Sequence, residues 1–308
     1  MVSVRDLTKV FNETIVAVNE ISFDVYEKEI FALLGPNGAG KTTTVEIIEG
    51  LQDATDGEVF VFGRNTKKGL RDMRARMGVL PQEFEPFDLL KPPEFLEYFA
   101  RLFGRKMTEG DVDDLLELVG LTERKKSLSV HLSGGEKKRL GIALSLVSNP
   151  DLIFLDEPTT GLDAQARRHL WSVISSLRDE GKTIFLTTHY LEEAEVLADR
   201  VAIMNRGKLI AMGTPEELIE KVGGTSTLIL EGVDTDLAGP IQALGFRTRA
   251  RKDRIEIRLR SGETVKDILS TLTLQKIHFK DLRTRRPTLE EAFLKLVGAR
   301  LEGGELIE

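Results

Sequence analysis

Gly35-Pro36-Asn37-Gly38-Ala39-Gly40-Lys41-Thr42 lies between an apolar run, Ile30–Leu34, and a helix-forming stretch, residues 43–49. The pattern is Gly, four residues, Gly-Lys-Thr. A strand that turns through such a loop into a helix aims several backbone N–H groups, and the positive end of the helix dipole, at one point. That point is a phosphate site. Glycines at 35, 38 and 40 permit backbone conformations and close approaches that a Cβ would block. Lys41 can then reach the β- and γ-phosphate oxygens of a nucleotide while the Thr42 hydroxyl takes a place on Mg2+. A glycine-rich turn with a chance lysine would lack the strand before it and the helix after it.

Composition limits the partners. At 308 residues the chain has room for about two domains. Its net charge of −7 lacks the basic balance of a nucleic-acid binder, so no nucleic-acid partner is expected. Without cysteine there are no disulfides, which fits a reducing compartment. Residues 1–6 lack the charged-then-apolar layout of a signal peptide, and no apolar run approaches the ~18 residues of a membrane span. Any membrane role is therefore expected to pass through a separate partner chain.

Val2, Val4 and residues 17–25 show strand patterning, with a turn at 27–29, which predicts an antiparallel entry to the strand before the phosphate loop. Phe11 stands between these strands. Taken alone it reads as a core aromatic; its other reading, a flat surface for a base, depends on the motifs that follow. After the loop helix come a strand over 58–62, a basic helix over about 67–76 and a strand over 77–80 that ends at Pro81-Gln82. The Gln82 amide oxygen, at a strand's carboxyl end, could serve a metal or its water. Within 84–104, Phe95, Tyr98, Phe99, Leu102 and Phe103 form a helical stripe, read either as a core face or as a groove for a partner's helix.

Leu132-Ser133-Gly134-Gly135-Glu136 precedes an apolar helix over 137–147, and Ser133 with Glu136 makes a capping box. Capping does not explain two glycines at the first helical positions, where they cost stability. They bare the helix start and make a second phosphate-binding end. Residues 151–155 read as a buried strand that delivers Asp156 and Glu157, a metal-positioning aspartate and an acid able to polarise water. Asp163 caps the helix that ends near Glu180, and His189 stands just past the strand over 182–187, on the rim where strand ends collect ligands.

In their order and approximate spacing the loop at 35–42, Gln82, residues 132–136, residues 152–157, Leu162-Asp163 and His189 resemble the ATP-binding subunits of ABC transporters, over about residues 1–222. The resemblance implies a P-loop α/β domain with an antiparallel β entry and a helical subdomain at about 84–147. It also implies ATP and Mg2+ as ligands: Phe11 stacks on adenine, while Asn37, Gly38, Gly40, Lys41, Thr42 and Thr43 bind nucleotide. Thr42, Gln82 and Asp156 would serve the metal. Glu157 would activate the attacking water, with Lys41 and Gln82 in the same catalytic set, and His189 would hold the γ-phosphate. Ser133 and Gly135 would face the ATP of an opposite subunit, so a pair of nucleotide domains, expected as a homodimer, is implied; Asp163 is expected among the nucleotide-binding residues. Glu136 departs from the family, which often has Gln there.

Beyond Gly223-Gly224, a plausible linker, residues 225–308 are expected to form a second domain. Strands are expected at 225–230, 246–251, 254–260 and 276–285, and helices at 237–244, 265–272 and 289–297. That βαββαβ order with a closing helix predicts a small ferredoxin-like α+β unit. Residues 286–294 resemble the C-terminal extension of daunorubicin-type drug-resistance exporter ATPases. The expected function is the ATPase motor of an exporter at the cytoplasmic face of the membrane, working with a separate integral membrane permease. An ABC importer, a soluble ABC ATPase and a nucleotide-gated module without turnover are the alternatives; Glu157 argues against the last.

Overall fold

The computed structural model describes all residues except 69–72, 260–262, 276, 299, 303–304 and 308, and no side chains at 68, 300–302 or 305–307; among the described residues, three larger sheets, one two-stranded pair and ten α-helices account for most of the structure. Strands β1 (Val2–Phe11), β2 (Ile15–Val25), β4 (Asp56–Val61) and β5 (Arg64–Asn65) form an antiparallel sheet in the order β2-β1-β4-β5. Their alternation puts Val2, Val4, Phe23, Val25, Val59 and Val61 into one core. Phe23 stacks on Phe31 at 5.3 Å, and Phe31 meets Phe185 at 5.5 Å, which welds this sheet to the next.

The second sheet runs β10-β9-β3-β8-β7-β6, made of β3 (Ile30–Leu34), β6 (Met77–Leu80), β7 (Leu152–Asp156), β8 (Thr183–Thr188), β9 (Arg200–Asn205) and β10 (Lys208–Gly213). All pairings are parallel except β10 with β9. Buried on both faces, β3 and β7 read as continuous apolar runs. The order β3-β8-β7-β6 sets four carboxyl ends side by side. Those ends deliver, in turn, the loop at 35–42, His189, Asp156 with Glu157, and Gln82. Helix α1 (Lys41–Ile48) leaves the loop directly.

Helices α2 (Pro92–Leu102), α3 (Glu109–Leu118) and α4 (Gly134–Leu146) occupy the stretch expected to be helical. The aromatic stripe divides between its two readings. Phe95 is buried against Phe84, Phe87 and Phe99, whereas Tyr98, Leu102 and Phe103 are exposed. Of the basic helix expected at 67–76, Thr66–Lys68 is a single 3-10 turn and residues 69–72 lie outside the described set. Helices α5 (Ala164–Asp179), α6 (Leu191–Leu197) and α7 (Pro215–Lys221) complete the series before the C-terminal sheet.

That sheet contains β11 (Thr227–Glu231), β12 (Arg247–Arg251), β13 (Arg254–Arg258) and β14 (Asp281–Arg285) in the order β12-β13-β11-β14, all antiparallel. With α8 (Ala238–Ala243) and α9 (Val265–Leu274) crossing between strands, this is the ferredoxin-like order. Leu228, Leu230, Ile255, Ile257, Ile268 and Leu272 form its core. The strand expected over 276–285 is shorter: Ile277 donates its N–H to Leu272 O at the end of α9, and only from Lys280, bonded to Glu231 O, does the chain join the ladder. Arg260 and Lys276, the ends of two expected strands, lie outside the described residues. Helix α10 (Leu289–Val297) follows.

By backbone contacts the chain divides into residues 1–215 with 297–308, and residues 216–296. Helix α7 falls in the second unit except for its first residue, Pro215. Gly224 donates its N–H to Ile219 O and Lys295 reaches Val222 O at 3.2 Å, so α7 and α10 are tied together within that unit.

Candidate active site

The phosphate loop is held by close backbone approaches. Gly40, the N-cap of α1, has φ 101, and a Cβ there would sit 2.2 Å from Ala17 O on β2. A side chain is excluded both by conformation and by space. Because Gly40 supplies no capping side chain, the first-turn N–H groups of α1, those of Thr42 and Thr43 among them, face the loop without a side-chain cap. Asn37 and Gly38 occupy the turn ahead of it.

Lys41 turns back into the loop. Its ammonium donates to Gly35 O at 2.9 Å and Pro36 O at 3.2 Å and lies 3.2 Å from Glu157 Oε1. Burial lowers its pKa, and Glu157 and Asp156 offset part of that. Glu157 is the hub. Its Oε2 accepts from Gln82 Nε2 at 3.4 Å and from Thr160 Oγ1 at 3.3 Å, and His189 Nδ1 approaches to 3.1 Å without a hydrogen-bond alignment. Burial alone would raise the Glu157 pKa, but His189 and Lys41 outweigh it and hold the carboxyl down to about 2. Its backbone is left-handed, φ 46, an uncommon conformation for a non-glycine residue, fixed by N–H bonds to Thr187 O and Oγ1.

Asp156 has other partners. In the parallel ladder it sits opposite Thr187, whose hydroxyl donates to its Oδ1. Burial raises its pKa; the Thr187 hydrogen bond opposes this, Glu157 adds to it, and Thr42 and Lys41 pull the other way. Thus Lys41, Thr42, Gln82, Asp156, Glu157 and His189 converge. Hard oxygen donors from one carboxylate, one hydroxyl and one amide suit Mg2+, which keeps positions for phosphate and water. Among the described residues no group of three His, Cys, Asp or Glu forms a complete metal cage.

Three expected site residues lie elsewhere. Ser133, Gly135 and Asp163 line a separate open depression of about 270 Å³. Ser133 caps α4, accepting from Glu136 N at 3.3 Å while Glu136 Oε2 accepts from Ser133 N at 2.8 Å. Asp163 caps α5 through Gln165 N and Ala166 N. Phe11 is half-buried at the end of β1, paired with Ile15 and placed under the Lys9 ammonium at 5.0 Å. The core reading of Phe11 fails: it is absent from the buried cluster on which β1 packs.

Thr160, Thr187 and Lys138, which donates to Gln82 O, were missed in the sequence. The first two carried one signal: each stands within three residues of Glu157 or His189. Lys138 carried none, since its partner is 56 residues away.

Residues 18–160 match the family described as ABC transporter. The linearmycin resistance ATP-binding protein LnrL of Bacillus subtilis (strain 168) is 33% identical over 98% of this chain and 99% of its own. The Nod factor export ATP-binding protein I of Burkholderia lata is 38% identical over 97% of each. Among solved structures, a dimeric ATP-binding cassette in a post-hydrolysis state, bound to ADP and Pi, aligns with TM-score 0.63 and 27% identity, covering 70% of this chain and 98% of its own. No helix among the described residues is long and apolar enough to cross a membrane. The convergence of a phosphate loop, two buried carboxylates and a histidine at adjacent strand ends, with relatives matched over nearly their whole length, places the chain in the ABC transporter family as an ATP-hydrolysing subunit of the kind its resistance and export relatives represent.

Proposed function

We propose that the chain is the motor of an exporter, bound at the cytoplasmic face of the membrane to a separate integral permease and working as a homodimer of its nucleotide domain. The observation that carries the catalytic part is Glu157, a buried carboxylate within reach of Lys41, Gln82 and His189. In this reading ATP phosphates take over the Lys41 ammonium and the first-turn amides of α1. Thr42, Asp156 and Gln82 would hold Mg2+, which would supply charge neutralisation at the phosphates. With its NH2 on Glu157, Gln82 has its Oε1 for that role. Glu157 stays ionised and accepts a proton-bearing contact from the attacking water, and His189 steadies the γ-phosphate. Phe11 stacks on the base; β2, its hairpin partner, is the strand whose Ala17 carbonyl abuts Gly40.

Export is favoured over import by the names of the relatives matched from end to end, which include resistance and export. For the permease, the fitting surface is an apolar groove of about 370 Å³ lined by Leu51, Val79, Phe99 and Phe103 together with Glu49 and Arg74. The catalytic assignment is tested with Glu157→Gln. It should bind MgATP as tightly as the native chain and turn it over at least ~100-fold more slowly, the scale of a lost general base. Native turnover in the variant removes Glu157 from the chemistry.

A further inference from the structure

The open face of the C-terminal sheet carries its charges in rows. Alternation buries Leu228, Leu230, Ile255 and Ile257 against the helices, so the intervening residues face outward. The ladder register lines these up across the four strands. One row reads Arg249, Glu256, Ile229, Arg283, and the next Arg251, Arg254, Glu231, Asp281. Their charges pair between the two rows: Arg254 lies 3.3 Å from Glu256 and Arg283 lies 3.6 Å from Glu231. The row at the far end reads Arg247, Arg258, Thr227, Arg285 and contains no carboxylate.

Like charges directly opposite on neighbouring strands repel, their Cβ atoms being only about 5 Å apart. Arg247 and Arg258 are such a pair, and among the described residues neither has an ion-pair partner. Arg285 has only Glu291, at 4.0 Å. Around Thr227 these arginines border a depression of about 350 Å³ that extends across the sheet to Arg249, Arg251 and Arg254, with Glu256 as the one carboxylate in its lining. The chain as a whole is acidic, with a net charge of −7, so this cationic row does not follow from composition.

We infer that this row is a binding site for a small soluble ligand bearing two linked phosphates. Planar guanidinium forks match phosphate oxygens bidentately, and three of them around a hydroxyl exceed what a single phosphate uses. A nucleic-acid chain fits poorly, because the sheet face presents no aromatic side chain for a base to stack on. An anionic membrane surface also fits poorly: Glu256, Glu231 and Asp281 in the adjoining rows would face the same negative plane. The site is distinct from the phosphate loop and does not depend on the catalytic reading above.

The test is calorimetric titration of the native chain, Lys41→Ala and Arg247→Gln/Arg258→Gln with inorganic pyrophosphate at low salt. Apart from pyrophosphate taken up at the phosphate loop and lost in Lys41→Ala, the native chain should bind one equivalent that persists in Lys41→Ala and is weakened at least ~10-fold in the arginine pair, the loss of two charge-assisted contacts. Arg247→Lys/Arg258→Lys should recover part of it. In phosphate-free buffer the Gln pair should melt no lower than the native chain, since it removes a repulsion. Identical binding by the native chain and the Gln pair overturns the site. Capture of the native chain by phosphatidylglycerol vesicles, lost in the Gln pair and unaccompanied by pyrophosphate binding, overturns the soluble ligand.

Discussion

Phe11 shows how one residue's exposure decides between packing and binding. A phenylalanine in the core loses about 3–5 kcal/mol of stability on truncation to alanine, but Phe11 is half-buried at a hairpin end beside the exposed Ile15 and Val16. Phe11→Ala should therefore leave the melting temperature nearly unchanged and weaken ATP binding by about 1 kcal/mol, the scale of an aromatic stack. Fluorescent-nucleotide titration checks it; undiminished affinity leaves Phe11 with no part in the site. At this scale the sequence was most legible where chemistry is local. The loop at 35–42, Asp156-Glu157 and the Ser133 to Glu136 box each signal a role within a few residues. Thr187 could not be read that way, because its bond to Asp156 comes from the pairing of β7 with β8 across 31 residues.

Glu49, at the end of α1, shows an element working against one of its own residues. It caps the helix C-terminus, where the dipole disfavours negative charge, and it is 6% exposed. Burial first, then Asp156 and Glu46, push its pKa up to about 8 from the ordinary carboxyl value of 4.5. A raised carboxyl pKa means full stability below about pH 4.5 that is lost as pH rises toward 8, because the unfolded chain releases the proton first. Glu49→Gln should thus raise the melting temperature little at pH 4.5 and by about 5 °C or more at pH 8. A gain independent of pH would detach it from Glu49 ionisation. The same groove bears on the α2 stripe. Its periodicity was legible, but not its division, since only the fold shows Phe95 covered and Phe103 57% exposed. Phe103→Asp should keep soluble ATPase activity and lose copurification of the permease; retained copurification moves the docking surface elsewhere.

At the scale of the whole molecule, two helix starts compete to explain one nucleotide site. The first, at Gly40 and Lys41, adjoins every metal and water residue identified. The second, at Ser133 to Gly135, opens on a depression of its own. Its two glycines have different causes. A Cβ on Gly135 would come within 3.3 Å of Ala166 Cβ, so packing against α5 accounts for it, whereas a Cβ on Gly134 would meet nothing within 4 Å. The chain's own fold gives no reason for glycine at 134, and an approaching phosphate does. A head-to-tail pair of nucleotide domains meets the requirement twice over, each second helix start covering the ATP on the other copy's loop. In the proposed assembly closure would depend on γ-phosphate contacts that ADP lacks, so hydrolysis would loosen the pair and move the permease. Light scattering on Glu157→Gln should show a dimer with MgATP, a monomer with MgADP, and a monomer with MgATP once Ser133→Arg is added. The arginine fills the depression without touching Lys41, so ATP binding to that monomer should persist. A Glu157→Gln chain that stays monomeric with ATP bound would sink the head-to-tail pairing.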